Sequence, residues 1–410
     1  MENSGIGLHK FRNTEKMTAL SYQNWRAAKD RGLVDLSIRT IPYGHELADD
    51  PAHLRFINMS SYSYLGLNRH PDIIEGSIKA LRDEPITGLA IAPTRMRPSL
   101  AKTAEQGLSE LFDATCIIGL SCSVITAAFL PLVSSGHLVD GKPRVTVFDR
   151  HAHFCMDMIK PICADEAPLM IAPHNDVNFL EDVCKRESRV AYVADGAYSL
   201  GGTTILQDLL YLQNKYGLFL WFDDSHSLSV MGSQGEGFVR SQLSEMNPLT
   251  AISASLNKGF GCSGGVIMLD RKFDTTFINT TSAGPLTWSQ SLPTASLGSI
   301  LASIRIHNSS ALGEVQKDLQ RNIAAFDATF PSPLAGGKLP IRMVTTGSAE
   351  IAINVSNRLL EQGFYCAPVY FPITPRGKEG LRVMLRSDHR IDDIKNFAAT
   401  LRQEITSLAA

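Results

Sequence analysis

Charge of one dominant sign is missing from this 410-residue sequence: 39 Lys and Arg stand against 41 Asp and Glu, a formal net charge of −2. A general nucleic-acid binder would show a basic face, so the balance argues against that class. Paired cysteine spacing is missing as well. Cys116, Cys122, Cys155, Cys163, Cys184, Cys262 and Cys366 are odd in number and form no C-x-x-C. Neither a disulfide framework nor a zinc site is suggested, no metal is expected, and a reducing cytoplasm is the expected location. The opening stretch MENSGIGLHKFRNTEKM is polar and lacks the apolar core of a signal peptide. A clean membrane span is absent too. Cys116 to Val133 (CIIGLSCSVITAAFLPLV) approaches the length, but Gly, Ser, Cys, Thr and Pro interrupt it and no basic clusters flank it. A buried strand, a turn and a buried helix fit that segment equally well. There is no G-x-S-x-G elbow, Walker loop, H-E-x-x-H, internal repeat or low-complexity tract.

What is present is the composition of a globular protein, 44% hydrophobic and 20% charged, long enough for two domains. VTVFD (145–149), RVAYVAD (189–195), LFLWFDD (218–224) and GVIML (265–269) are nearly continuous apolar runs, as expected of strands covered on both faces. Helical patterns such as TILQDLLYLQNKYG (204–217) lie between them, predicting a large α/β domain with a mostly parallel sheet over 56–300. Residues 1–55 read as an N-terminal arm. A helical stretch from Ser291 to about Phe330, a Pro/Gly break, a helix over 349–362, a strand pair and a last helix from Asp392 predict a smaller α+β domain over 301–410. Ligands of open α/β sheets sit beyond the carboxyl ends of the strands. Those ends carry Asp149-Arg150-His151, Asp195-Gly196 and Asp223-Asp224-Ser225-His226.

The segment SASLNKGFGCSGG (253–265) offers two readings. GFGCSG fits the dinucleotide pattern G-x-G-x-x-G, but a strand rather than a helix follows it, so the fingerprint has the wrong context. The other reading is Lys258, set among small and apolar residues. A partly desolvated lysine has a lowered pKa and can form a Schiff base with an aldehyde. A surface lysine in a glycine loop is the plain alternative. Asp223, closing an apolar strand, can pair with a protonated pyridine nitrogen or simply cap a helix. His226 can donate to a phenolic oxygen or be a satisfied structural histidine. His151 and His153 form H-x-H with no third metal ligand in view, which leaves stacking on a flat ring. Ser121-Cys122-Ser123 can offer N–H groups to a phosphate or form a plain tight turn.

Taken together these segments resemble the α-oxoamine synthases, pyridoxal-phosphate enzymes of the aspartate-aminotransferase fold (fold type I). NMSSYSYLGLNRHP, DRHAHF, DGAYSLGG, WFDDSHSLSVMGSQGEG and SLNKGFGCSGG match five family motifs in the right order, from about Phe56 to the C-terminus. In motif detail the closest branches are the serine palmitoyltransferases and autoinducer synthases. The resemblance implies pyridoxal 5'-phosphate, with Lys258 as Schiff-base residue, Asp223 on the ring nitrogen, His153 stacked on the ring, and His226 and Ser199 at its phenolic oxygen. It implies phosphate contacts from Ser121, Cys122, Ser123 and Ser255, with Ser289 and Gln290 reaching a neighbouring subunit's phosphate in a homodimer. Ser63, Tyr370 and Arg382 are the implied substrate contacts. Tyr370 stands where many members carry an arginine, and Cys122-Ser123 replaces Gly followed by an aromatic residue. The implied reaction condenses an amino acid with an acyl thioester, releasing CO2 and free thiol; an aminotransferase or carbon–carbon lyase on the same fold is the alternative.

Overall fold

The computed structural model describes residues 14–41, 45–48, 54–276, 278 and 283–409. The first thirteen residues of the expected N-terminal arm lie outside them. The apolar runs form the middle of a seven-stranded sheet. Its spatial order is Thr115–Gly119, Gly265–Leu269, Thr250–Ser255, Phe219–Asp223, Val190–Asp195, Val145–Asp149 and Leu169–Ala172. Gly265–Leu269 is antiparallel to both neighbours and every other pairing is parallel. Successive side chains of a strand face opposite sides. Thus Leu220 and Phe222 enter one apolar cluster while Phe219 and Trp221 enter the other. Helices cover both faces, which explains why these strands read as unbroken hydrophobic runs. Burying each such side chain contributes about 1.5–3 kcal/mol.

Cys116 to Val133 resolves into the strand Thr115–Gly119, a turn at Leu120-Ser121, and the helix Cys122–Ser134. That helix has 13 residues, against about 20 for a membrane span. Among the described residues no helix is long and apolar enough to cross a membrane. The helical stretch after 291 divides into Thr294–His307 and Ser310–Thr329, because Ser309 accepts the N–H of Ala311 and starts a second helix.

The C-terminal portion builds an antiparallel sheet of Ile341–Thr345, Gly380–Met384 and Pro368–Val369. The strand pair expected there is only partly one sheet: Phe364–Tyr365 leaves it and pairs in parallel with Arg55–Asn58. Arg55–Asn58 in turn pairs with His45–Ala48, and that strand with Ile38–Thr40. The N-terminal segment is therefore knitted to the C-terminal part of the chain rather than standing apart as an arm.

Candidate active site

The parallel strands carry Asp149, Asp195 and Asp223 to one edge of the sheet. Asp195 and Asp223 are register partners on adjacent strands. Burial pushes the Asp195 carboxyl well above the usual range and the neighbouring Asp223 charge adds to it. Burial alone would raise Asp223 too. The facing His153 and Lys258 charges, with the Ser225 N–H donating to Oδ1 at 3.0 Å, outweigh it and hold Asp223 below the usual range. Neighbouring acids with divergent pKa values are one mark of a working site. The second oxygen of Asp223 receives the thiols of Cys155 at 3.2 Å and Cys122 at 3.6 Å. Asp224 points elsewhere: its Oδ2 accepts the Val239 N–H at 2.8 Å, its Oδ1 is buried without a partner among the described residues, and burial raises it to about 6.

Lys258 emerges just after Thr250–Ser255, half-buried, with Nζ 2.9 Å from His226 Nε2 and 5.8 Å from the centre of the Tyr62 ring. Burial lowers its pKa against the opposing pull of Asp223. His226 is buried, and its Nδ1 lies 2.6 Å from the hydroxyl of Tyr64. Burial, then the charges of Lys258 and Arg382, drive the imidazole well below its ordinary value. A neutral ring therefore links a buried phenol to the amine, one nitrogen donating and the other accepting.

The H-x-H pair divides. His153 caps the short helix Phe154–Asp157, with Nδ1 accepting the Cys155 N–H at 3.3 Å and lying 3.1 Å from the Cys155 sulfur; its own N–H donates to Asp195 at 2.8 Å. Burial lowers its pKa, and Asp223, Lys258 and Arg382 are its charged neighbours. His151 faces away and stacks on His174 with centroids 4.2 Å apart.

Ser121 caps the helix Cys122–Ser134, its Oγ accepting the Val124 N–H at 3.2 Å, and the first-turn amides of Cys122 and Ser123 have no intrahelical acceptor. Gly265 lies against this turn: a Cβ there would come within 2.3 Å of the Cys122 nitrogen. At Gly259 a Cβ would meet the Leu228 carbonyl at 2.5 Å. The glycines after Lys258 thus admit other backbone segments, which is why the dinucleotide pattern appears without its function.

Arg382, in Gly380–Met384, donates from Nη2 to the Tyr62 hydroxyl at 3.1 Å and lies over that ring at 5.5 Å. Its Nη1 reaches the Ser199 carbonyl at 3.5 Å and its Nε is buried without a partner among the described residues. Ser255 backs the site, donating its N–H to Ser225 Oγ at 2.8 Å and accepting that of Asn257 at 3.2 Å. Two expected residues of this subunit, Tyr370 and Ser63, are not brought to this group. Tyr370 is buried in an apolar cluster with Ala28, Leu33 and Phe56, edge-on to Trp25 at 5.3 Å, since its loop packs on the N-terminal helix Thr14–Asp30. Ser63 turns its hydroxyl to Asn68 at 2.5 Å. Ser289 donates to the Pro285 carbonyl at 2.5 Å, and Gln290 lines a small cavity with Arg97 and Ile118. Tyr62, Tyr64 and Cys155 also belong to the site; the two tyrosines have a sequence signal, the alternation Y-S-Y within SYSYLGL, and Cys155 has none. A 650 Å³ cleft opens at the other end of the sheet, beside Phe219 and Thr250, where the parallel strands begin.

The aminotransferase class I and II family matches residues 200–401. The 8-amino-7-oxononanoate synthase of Maricaulis maris is 28% identical over 404 residues, covering 95% of this chain and 98% of that one. The mitochondrial 2-amino-3-ketobutyrate coenzyme A ligase of Bos taurus is 26% identical over 367 residues, covering 86% and 83%. A serine palmitoyltransferase from S. paucimobilis, solved with a bound PLP–myriocin aldimine, superposes with a TM-score of 0.82 at 20% identity, over 97% of this chain and all of that one. The fold is that of the type I pyridoxal-phosphate enzymes.

Proposed function

We propose that this chain, a relative of the α-oxoamine synthases, is a pyridoxal-phosphate-dependent acyltransferase. Its reaction joins an amino acid to an acyl thioester and releases an α-aminoketone, CO2 and free thiol. The observation that carries the reading is the half-buried Lys258 held 2.9 Å from the buried His226, beside the Asp223 carboxylate. The donor set suits the cofactor: an amine of lowered pKa for its aldehyde, a buried carboxylate for its ring nitrogen, and the Ser121–Ser123 helix start for its phosphate. Bound there, pyridoxal phosphate supplies an electron sink for the carbanion formed at the amino acid's Cα.

The chain's own residues do the rest. Lys258 moves the Cα proton, and burial, which lowers its pKa, favours the uncharged amine that can accept it. Tyr64 fixes the His226 ring from behind, so that Nε2 holds the lysine in line in either tautomer. Asp223, kept ionised, holds its partner nitrogen protonated. His153, anchored by its helix cap and by Asp195, closes one face. Arg382 binds the substrate carboxylate with its guanidinium oriented by Tyr62 and the Ser199 carbonyl. With Tyr370 packed on Trp25, Arg382 carries that contact without the second arginine many relatives have.

We further propose a cytoplasmic homodimer, with Ser289 and Gln290 directed at the partner. Ile74, Ile78 and Leu81 along Pro71–Asp83, and Phe154, Met158 and Ile162, are exposed apolar stripes of the kind a second subunit covers. The seven cysteines are all free and buried, as suits a reducing compartment.

The test is a thiol-release screen of amino acids against acyl-CoA and acyl-carrier-protein thioesters, run beside Lys258→Ala. Wild type is expected to show the visible absorbance of lysine-bound cofactor and to release thiol with CO2, and the variant to lose both. A purified chain that binds no cofactor, or a variant that keeps the absorbance, overturns the reading. Keto acid formed without thiol release would assign an aminotransferase instead.

A further inference from the structure

Around Asp223 lies a donor set whose two thiols the acyl-transfer reading leaves unused. Cys122 opens the helix Cys122–Ser134, Cys155 lies in Phe154–Asp157, and Asp223 ends its strand. All three are buried, and one sulfur, one sulfur and one carboxylate oxygen lie within 4.8 Å of one another. For zinc, sulfur at about 2.3 Å and oxygen at about 2.1 Å in a tetrahedron give an S···O edge of about 3.6 Å. The observed edges are 3.2 Å for Cys155 and 3.6 Å for Cys122, so little movement is needed. Outer contacts already orient both sulfurs: the Ser225 hydroxyl lies 3.7 Å from Cys122 and the Thr126 hydroxyl 3.8 Å from Cys155. Two thiols and a carboxylate select a soft divalent cation over magnesium or calcium.

We propose that the cofactor-free chain binds one zinc-class cation through Cys122 Sγ, Cys155 Sγ and Asp223 Oδ2, water completing the tetrahedron. Each thiol gives its proton to solvent as its sulfur–metal bond forms. Because Asp223 is also the residue that would hold the cofactor's ring nitrogen, cation and cofactor exclude one another. That exclusion rests on the pyridoxal-phosphate reading; the cation site does not.

The cofactor-free full chain, kept reduced without a chelating reductant, is titrated with Cd2+ while thiolate-to-cadmium absorbance is followed in the ultraviolet. The band is expected to saturate at one ion per chain, and Zn2+ to displace it. Cys122→Ser and Cys155→Ser should each weaken binding about tenfold or more, while Cys184→Ser, a buried thiol on the helix Val177–Arg186, leaves it unchanged. Prior saturation with pyridoxal phosphate should abolish the band. A folded chain without a saturable band, or a band that survives in the Cys122→Ser/Cys155→Ser double variant, overturns the site. A band indifferent to bound cofactor overturns the exclusion. Failure of the cofactor's own visible absorbance speaks against the enzyme reading and leaves the cadmium titration readable.

Discussion

Asp149 and Asp223 end neighbouring parts of one sheet, both buried and both held below the usual carboxylate range, yet their surroundings differ in kind. Asp149 is full. The His151 N–H at 2.7 Å and His174 Nδ1 at 3.0 Å meet Oδ1, and the Asn175 N–H at 3.0 Å and the Tyr192 hydroxyl at 2.8 Å meet Oδ2. Asp223 has one strong donor, Ser225, and otherwise two thiols, which are weak donors and readily displaced. A carboxylate whose capacity is spent on its own chain stabilises the fold; one with capacity in reserve is available to a ligand. The two histidines of H-x-H follow the same division, His151 beside the first acid and His153 beside the second.

Exchanging each acid for its amide is the direct way to break this comparison. Asp223→Asn should lower kcat for thiol release by about 10²–10³-fold while the denaturant midpoint holds. Asp149→Asn should do the reverse, costing roughly 2–3 kcal/mol in unfolding because an NH2 group then faces donors, with kcat nearly intact in the folded fraction. Equal losses of activity in the two variants would erase the distinction. Arg382→Ala should raise KM for the amino acid about ten- to a hundredfold, with KM for the thioester little changed.

The smallest effect lies in the pH dependence of stability, where Asp149 and Asp224 should have opposite signs. Asp149 is depressed by its donors, the His174 contact foremost, against the cost of burial. Its contribution is present above the unfolded carboxylate pKa and is lost as pH falls through the lower folded value. Asp224, raised by burial to about 6, contributes fully below the unfolded value and loses that contribution as pH rises through about 6. Unfolding free energies of wild type minus Asp149→Asn and wild type minus Asp224→Asn, measured from pH 3 to 8, should therefore slope in opposite directions. Parallel curves would refute the assignment.

Much of this was legible in the sequence. The strands around Val147, Val193, Phe222 and Val266 announced themselves because both faces of the sheet are covered, which removes polar interruptions. Strand-end position and motif order single out Lys258, Asp223, His226 and Arg382, and the structure gathers these four around one another. Tyr64 was not, since an aromatic residue beside Leu65 and Leu67 reads as core, and it is core except for one hydroxyl. Cys122 and Cys155 carry no spacing signal, because a helix start and a separate capped turn bring them together only after the sheet has formed. Ser63 and Tyr370 show the limit of a matching string: position in a motif does not fix where a side chain points, and the Asn68 amide and Trp25 ring decided those two.

The contact between Gly265 and the Ser121–Cys122 turn has a mechanical consequence. One strand boundary is shared by the loop that presents the Lys258 amine and by the turn that presents the helix amides, with no room for even a methyl group between them. The span between these two anchors is thus set like the jaws of a fixed gauge, by backbone pressed on backbone. A side chain at 265 would remove no polar group and still spoil the tool, by changing its setting.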